Sequence, residues 1–155
     1  MYVDLLAGLE ASWLGHLARH SAWVYTVSNV LHVLGAAFVV GSIAVFDVKV
    51  LAEHGRGANA VGRYAIPLAA GGIALQIPTG LVLLAPEARA LGVNPAFAVK
   101  MGFILLGLAN VALFHYRFGA HLRYDALPPE ARTYAVLSLL AWVVALVAGR
   151  MIAYL

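Results

Sequence analysis

Polar residues are sparse along most of this chain, and where they gather they mark its organisation. Mostly apolar runs fall at about 22–46, 64–85, 96–118 and 133–155. A membrane-spanning helix needs about 20 such residues, so each run predicts one span. The polar stretches between them are short: Glu53 to Arg63, Glu87 to Asn94, and Gly119 to Arg132 with Arg123 and Asp125 inside it. Links of that length join antiparallel neighbours and predict an all-α, up-down four-helix bundle. Residues 1–155 read as a single membrane domain.

Proline refines the second and third spans. Pro67 falls in the expected first turn of the second, where proline is tolerated, and Pro78 falls inside it. An interior proline kinks a helix unless neighbours satisfy the freed carbonyl. Pro95 opens the third span, and Pro128 and Pro129 precede the fourth.

Residues 3–20 follow another pattern. Leu6, Leu9, Trp13 and Leu17 recur at helical spacing, with Asp4, Glu10, His16, Arg19 and His20 at the polar positions. That predicts a short amphipathic helix lying in the membrane interface. Asp4 and Glu10 stand where a signal peptide would be basic, so a cleaved leader is not expected.

Composition agrees with the pattern. The chain is 63% hydrophobic and 11% charged, with a mean hydropathy of +0.89. A soluble domain is nearer half apolar and a quarter charged, and a chain this small has too little interior to hide the excess. The lipid bilayer is the expected partner. The net charge of +3 comes without a basic run, so nucleic acid is not expected. With no cysteine, disulfides, iron–sulfur clusters, thiolate zinc sites and covalent c-type haem are excluded. Lys49, Arg56, Arg63, Arg117, Arg123 and Arg132 flank the first and third links, whereas Arg19, Arg89, Lys100 and Arg150 lie towards the other side. The positive-inside rule then predicts both termini outside, in a bacterial inner membrane.

Ionisable groups at membrane depth are costly and mark functional candidates. Here they are His32, Lys100, His115 and Arg150, with Asp47 at the end of the first span. Asn29, Gln76, Thr79, Asn110 and Ser138 add neutral polarity. His32 reads either as a satisfied core histidine or as a ligand or proton carrier, with Asn29 placed to orient it. Lys100 and Arg150 fall near the same end of antiparallel spans. They read as snorkelling side chains or as a basic pair for an anion such as haem propionates. His115 reads as interfacial or as a second ligand. His16 and His20, four apart, share one helix face and read as an exposed pair or a metal site. A b-type haem clamped by His32 and His115 meets an objection of depth. The two lie about ten and nineteen residues into parallel spans, an offset of about 13 Å. No P-loop, G-x-S-x-G or H-E-x-x-H motif appears, and the sequence assigns no enzyme activity.

Several segments together resemble a family of small bacterial four-helix integral membrane proteins known only as a domain of unknown function. They are Leu31-His32-Val33-Leu34-Gly35, Gly41-Ser42 and Phe46-Asp47-Val48-Lys49 in the first span. The third span has Asn94-Pro95-Ala96-Phe97, Lys100, Asn110 and Phe114-His115. The fourth has Leu137 to Leu140, Trp142 and Gly149-Arg150-Met151-Ile152-Ala153-Tyr154. The chain departs where the family often has Asp-Leu-Arg-Leu-Leu-Gly, carrying Asp47-Val48-Lys49-Val50-Leu51-Ala52, which keeps the charge and loses a guanidinium fork. The resemblance implies the fold and picks out His32, Asp47, Lys100, Asn110, His115 and Arg150, but implies no activity. A looser likeness to four-helix b-type cytochromes and copper-resistance membrane proteins rests on helix count and buried histidines.

Three functions stay open on the sequence. The first is a redox protein binding haem b through His32, with Lys100 and Arg150 at the propionates. The second is a small transporter or proton/metal pathway lined by His32, Gln76 and the Pro78 kink, with His115 at its inner end. The third is a structural accessory subunit. The last two imply a homo-oligomer or a membrane-complex partner.

Overall fold

The computed structural model describes residues 2–123 and 127–154, apart from the Arg123 side chain. The Arg123 charge, Asp125 and Leu155 lie outside the described residues. Among the described residues seven α-helices follow in order: α1 Tyr2–Glu10, α2 Trp13–His20, α3 Ala22–Ala52, α4 Ala58–Leu84, α5 Ala88–Gly92, α6 Pro95–Phe118 and α7 Ala131–Met151. Four of them, α3, α4, α6 and α7, are long and apolar enough to cross a membrane. The chain is an all-α polytopic membrane protein with a short helical segment ahead of its spans.

The boundaries depart from the sequence expectations for local reasons. The first span runs on to Ala52, because Lys49 pairs with Glu53 one turn later at 2.6 Å and Asp47 is buried within the helix. At 31 residues it is about 46 Å long, well beyond a hydrocarbon core of about 30 Å. The second span starts at Ala58, straight after Gly57 with its positive φ of 65°. Pro67 therefore sits in the interior of α4, not in its first turn, and the helix runs unbroken through both Pro67 and Pro78. At the start of α6, Asn94 Oδ1 accepts from the Ala96 and Phe97 amides at 2.9 and 3.2 Å, with Pro95 at the first helical position. That is an N-cap followed by proline, which gives the Asn-Pro-Ala-Phe segment a structural cause. The fourth span stops at Met151, and 152–154 are turns.

The amphipathic segment is two helices, not one. Ser12 breaks it, accepting from the Gly15 amide at 3.3 Å as the N-cap of α2 and donating its hydroxyl to the Leu9 carbonyl at 2.6 Å. A side chain at position 15 would run into the Glu10 carbonyl, so the turn requires glycine there. The two helices dock on protein. Glu10 grips Arg89 of α5 through two side-chain bonds, at 3.1 and 3.3 Å, and accepts from the Arg89 amide at 3.1 Å. Arg19 donates to the Glu10 and Pro86 carbonyls, and Leu6 and Tyr2 close over Gly92. Ala85 and Ala88 are fully buried beneath this cap.

Within the bundle α3 packs on α4 and on α7, and α7 packs on α6, while α4 and α6 are not closely packed. The capped end carries α1, α2 and α5. The opposite end holds the apolar core: Phe46, Val50, Ala58, Ala65, Phe114, Phe118, Leu127, Ala131 and Ala135. Its three rings and the half-buried Tyr134 packed against them meet edge to face, with centroids 5.7 Å apart for Phe46–Phe114, 5.3 Å for Phe114–Phe118 and 5.4 Å for Phe118–Tyr134.

Candidate functional site

α3 and α4 approach so closely that a Cβ at Gly72 would stand 2.8 Å from the Gly35 carbonyl oxygen and 2.8 Å from Val39. Small residues are how helices reach such contact in lipid. One turn nearer the capped end, this contact brings the His32 ring of α3 onto α4. His32 Nδ1 lies 3.0 Å from Thr79 Oγ1, and the ring edge passes Gly80, where a Cβ would stand 3.1 Å from His32 Cε1.

The hydrogen-bond chain favours one tautomer. Thr79 has one hydroxyl proton and donates it to the Leu75 carbonyl at 2.6 Å, with Gln76 O at 3.3 Å. Towards His32 the hydroxyl oxygen is therefore the acceptor, so Nδ1 carries the proton and donates. In the neutral ring Nε2 is then left with a free lone pair. Gln76 is half-buried beside the same ring.

Lys100 of α6 lies towards the capped end of its helix. Its chain crosses to α7, and Nζ lies 3.6 Å from where a Gly149 Cβ would stand. Lys100 is half-buried. Among the described residues no carboxylate pairs with it. Thus the His32 ring sits between α3 and α4 beside Gly80, and Lys100 lies between α6 and α7 beside Gly149.

Nearer the opposite end α3 carries a second polar group. Asp47 is 5% exposed. Ser138 of α7, also buried, is its polar neighbour, and Asp47 Oδ2 has no hydrogen-bond partner among the described residues. Ser42 Oγ and Trp142 Nε1 are likewise buried without partners. Trp142 lies across Gly107, where a Cβ would be 3.2 Å from its Nε1. Buried polar atoms are nearly always satisfied, so three open ones between α3 and α7 form an unusual stretch.

The remaining candidates stand apart. His115 is exposed on α6 and its Nδ1 bonds back to the Val111 carbonyl at 2.9 Å, so it is not brought to His32. Arg150 is exposed, donating to Tyr154 at 3.0 Å with its guanidinium 5.2 Å from the ring centroid. Asn29 is exposed and does not orient His32, a task Thr79 performs. Asn110 donates to the Tyr134 carbonyl at 3.1 Å and ties α6 to α7. His16 and His20 stack with centroids 5.9 Å apart on the exposed face of α2, His20 Nδ1 bonding to the His16 carbonyl. Among the described residues no group of three or more His, Asp or Glu side chains is gathered as a metal site. Reading the sequence placed Thr79 and Ser138 only as neutral polar residues. Their pairing with His32 and Asp47 joins positions 47 and 91 residues apart, which no local spacing signals.

Comparison with known proteins finds no match: no family model, no characterised protein and no solved structure is detectably similar to this chain.

Proposed function

We propose that the protein is a small proton pathway, moving protons or a proton together with a small solute across the membrane. One observation carries the reading. A single helix, α3, turns two titratable groups inward at different depths, each beside a hydroxyl of another helix: His32 at Thr79 and Asp47 at Ser138. They are fifteen residues apart, about 22 Å along the helix, most of a hydrocarbon core of about 30 Å. Membrane-buried ionisable groups in such a line serve as proton relays. The open polar atoms of Ser42 and Trp142 lie between these depths. On the Lys/Arg count the capped end faces the outside of a bacterial inner membrane, so His32 takes the proton first.

The test is potassium-diffusion-driven proton uptake into proteoliposomes carrying a trapped pH dye. Wild type is expected to acidify the lumen faster than empty liposomes, and His32→Ala and Asp47→Asn each to return the rate to the empty-liposome value. A wild-type rate equal to that of empty liposomes removes the reading.

A redox function with His32 as an axial ligand to haem b has one observation in its favour, the free lone pair on Nε2 that its bond to Thr79 leaves. It needs a second ligand that His115, exposed on α6, does not supply within one chain. An oxidised-minus-reduced absorption spectrum of the purified protein separates the two readings: a Soret band lost in His32→Ala establishes haem, and a colourless sample excludes it.

A further inference from the structure

We propose that a cleft at the capped end binds the headgroup of an ethanolamine phospholipid, a phosphate joined by two carbons to a primary ammonium. The cleft lies between α2, the start of α3 and the Ala85–Glu87 turn that follows α4. It holds about 430 Å³ and is lined by Ala18, Arg19, His20, Tyr25, Thr26 and Glu87, with Ala22 and Pro86 as apolar walls. Specific contacts build it. Arg19 Nη2 donates to the Pro86 carbonyl at 3.0 Å and to the Glu10 carbonyl at 3.1 Å, which seats α2 on the turn over the buried Ala18. The depth is that of headgroups, because two spans end here. Trp13 of α2 and Trp23 of α3 stand exposed beside the cleft's own residues, as aromatic side chains do at a membrane–water interface. The inference is independent of the pathway reading.

The charges in the cleft select the ligand. Both acceptors of Arg19 are neutral carbonyls and both are served by one nitrogen. Three N–H donors and the positive charge stay available. The Pro86 carbonyl belongs to the peptide bond that leads into Glu87, so the cation stands next to that residue. Among the described residues, however, neither Arg19 nor Glu87 forms an ion pair, and Glu10 is engaged by Arg89. Opposite charges that share a cleft without pairing suit a zwitterion. Its phosphate accepts from Arg19 in a charge-assisted bond, with the Tyr25 and Thr26 hydroxyls as further donors, and its ammonium donates to Glu87. A glycerol headgroup has no cation for Glu87, and a choline headgroup has no N–H to donate to it. The surface below the cleft points to a lipid as the source. Val30 and Val33 follow Thr26 at helical spacing on α3 and are exposed, an apolar track for acyl chains that begins at the cleft.

Native mass spectrometry of the full chain, in mild detergent with equal amounts of ethanolamine, glycerol and choline phospholipids, tests this. Wild type is expected to retain one ethanolamine lipid per chain in preference to the other two. Glu87→Gln should abolish that preference while leaving retention of the glycerol lipid undiminished. Its side chain is exposed, so the fold is not at stake. Arg19→Gln should weaken retention of all three lipids about tenfold. Because Arg19 also seats α2, Arg19→Lys is the companion variant: it keeps the charge and should retain the ethanolamine preference. Arg63→Gln, at the other end of α4, should behave as wild type. Equal retention of the three lipids by wild type overturns the proposal, as does an ethanolamine preference that survives in Glu87→Gln. A loss in Arg63→Gln as large as in Arg19→Gln overturns it too, since any surface cation would then serve. Glycerophosphoethanolamine, the headgroup without chains, should not be retained. Were it held as firmly as the lipid, the ligand would be a free metabolite and the lipid assignment would fall.

Discussion

The two ends of the bundle are held together by different means. At the end away from the cap, Phe46, Phe114, Phe118 and Tyr134 fill the space between four helices with rings packed edge to face, and Val50 and Ala131 are fully buried beside them. Towards the capped end most buried positions of the spans are small or polar: Gly35 and Gly72 at the α3–α4 contact, Thr79, Ala145 and Ala148, with Val39 larger and Trp142 crossing Gly107 nearer the middle. In lipid no hydrophobic effect drives helices together, so packing and hydrogen bonds must do so. Large rings give many dispersion contacts at the first end. Glycines give close backbones at the second, and leave space that His32 and Lys100 occupy. The rings thus clamp one end, while the titratable groups of α3 stand at both, His32 towards the cap and Asp47 next to Phe46.

The contrast is broken most directly at the rings. Phe114→Ala removes the side chain that touches Phe46, Phe118 and Tyr134 and should cost about 3–5 kcal/mol. Unfolding in mixed micelles with increasing SDS measures it, and a loss below 1 kcal/mol would mean the rings are not the clamp. A substitution at Gly72 ranks next. Gly72→Ala sets a methyl against the Gly35 carbonyl and Val39 and should cost about 1–3 kcal/mol. Gly102→Ala meets nothing within 4 Å and should stay within about 0.5 kcal/mol of wild type. Equal effects at the two glycines would show that close approach is not what α3 and α4 depend on.

These predictions also mark what the sequence could tell. Span number and the helical cap followed from apolar runs and from Leu6, Leu9, Trp13 and Leu17, because lipid selects for length and period alone. The polar candidates followed less well. His32 and Lys100 were legible as costly residues at depth, and the structure holds them at different helix contacts, His32 against α4 and Lys100 against α7. His115 looked equivalent in a list, yet its helical phase turns it outward, and a sequence without contacts gives phase only relative to its own helix. Asp47 looked like the end of a span. Its burial depends on Ser138, far along the chain, and on the extra turn that Lys49 and Glu53 stabilise. The break at Ser12 was written in the N-cap preference of serine but was masked by a leucine period that runs straight through it.

The tautomer of His32 sharpens the comparison on a smaller scale. Thr79→Val keeps the shape and removes the acceptor for Nδ1–H, which should cost about 1–2 kcal/mol. Nitrogen NMR of labelled His32 should show the proton on Nδ1 in wild type and a shift to a mixture of tautomers in the variant. An Nε2–H ring in wild type would mean that Thr79 donates to Nδ1, and would remove the Nε2 lone pair that the haem reading needs.

The smallest effect is expected at the cap, where the tie is exposed. The Arg89 side chain and amide bonded to Glu10 hold its carboxyl below the ordinary carboxylate range. A depressed folded-state pKa contributes stability that is present above the unfolded value, about 4.3 for glutamate, and is lost as pH falls through the folded value. Docking of α1 and α2 should therefore be unchanged from neutral pH down to about 5 and weaken only below the ordinary glutamate range. Amide exchange in α1 and α2 reports it. Glu10→Gln should exchange modestly faster than wild type at neutral pH, because one charge-assisted fork is replaced by neutral bonds. The two proteins should converge at the lowest pH, where wild type loses the same charge. Were α1 and α2 equally protected in both at neutral pH, the cap would owe its docking to Leu6 and Tyr2 on Gly92 and to Arg19 on the Pro86 carbonyl. Both ends of the molecule would then be held by packing and neutral bonds, with charge reserved for the interior.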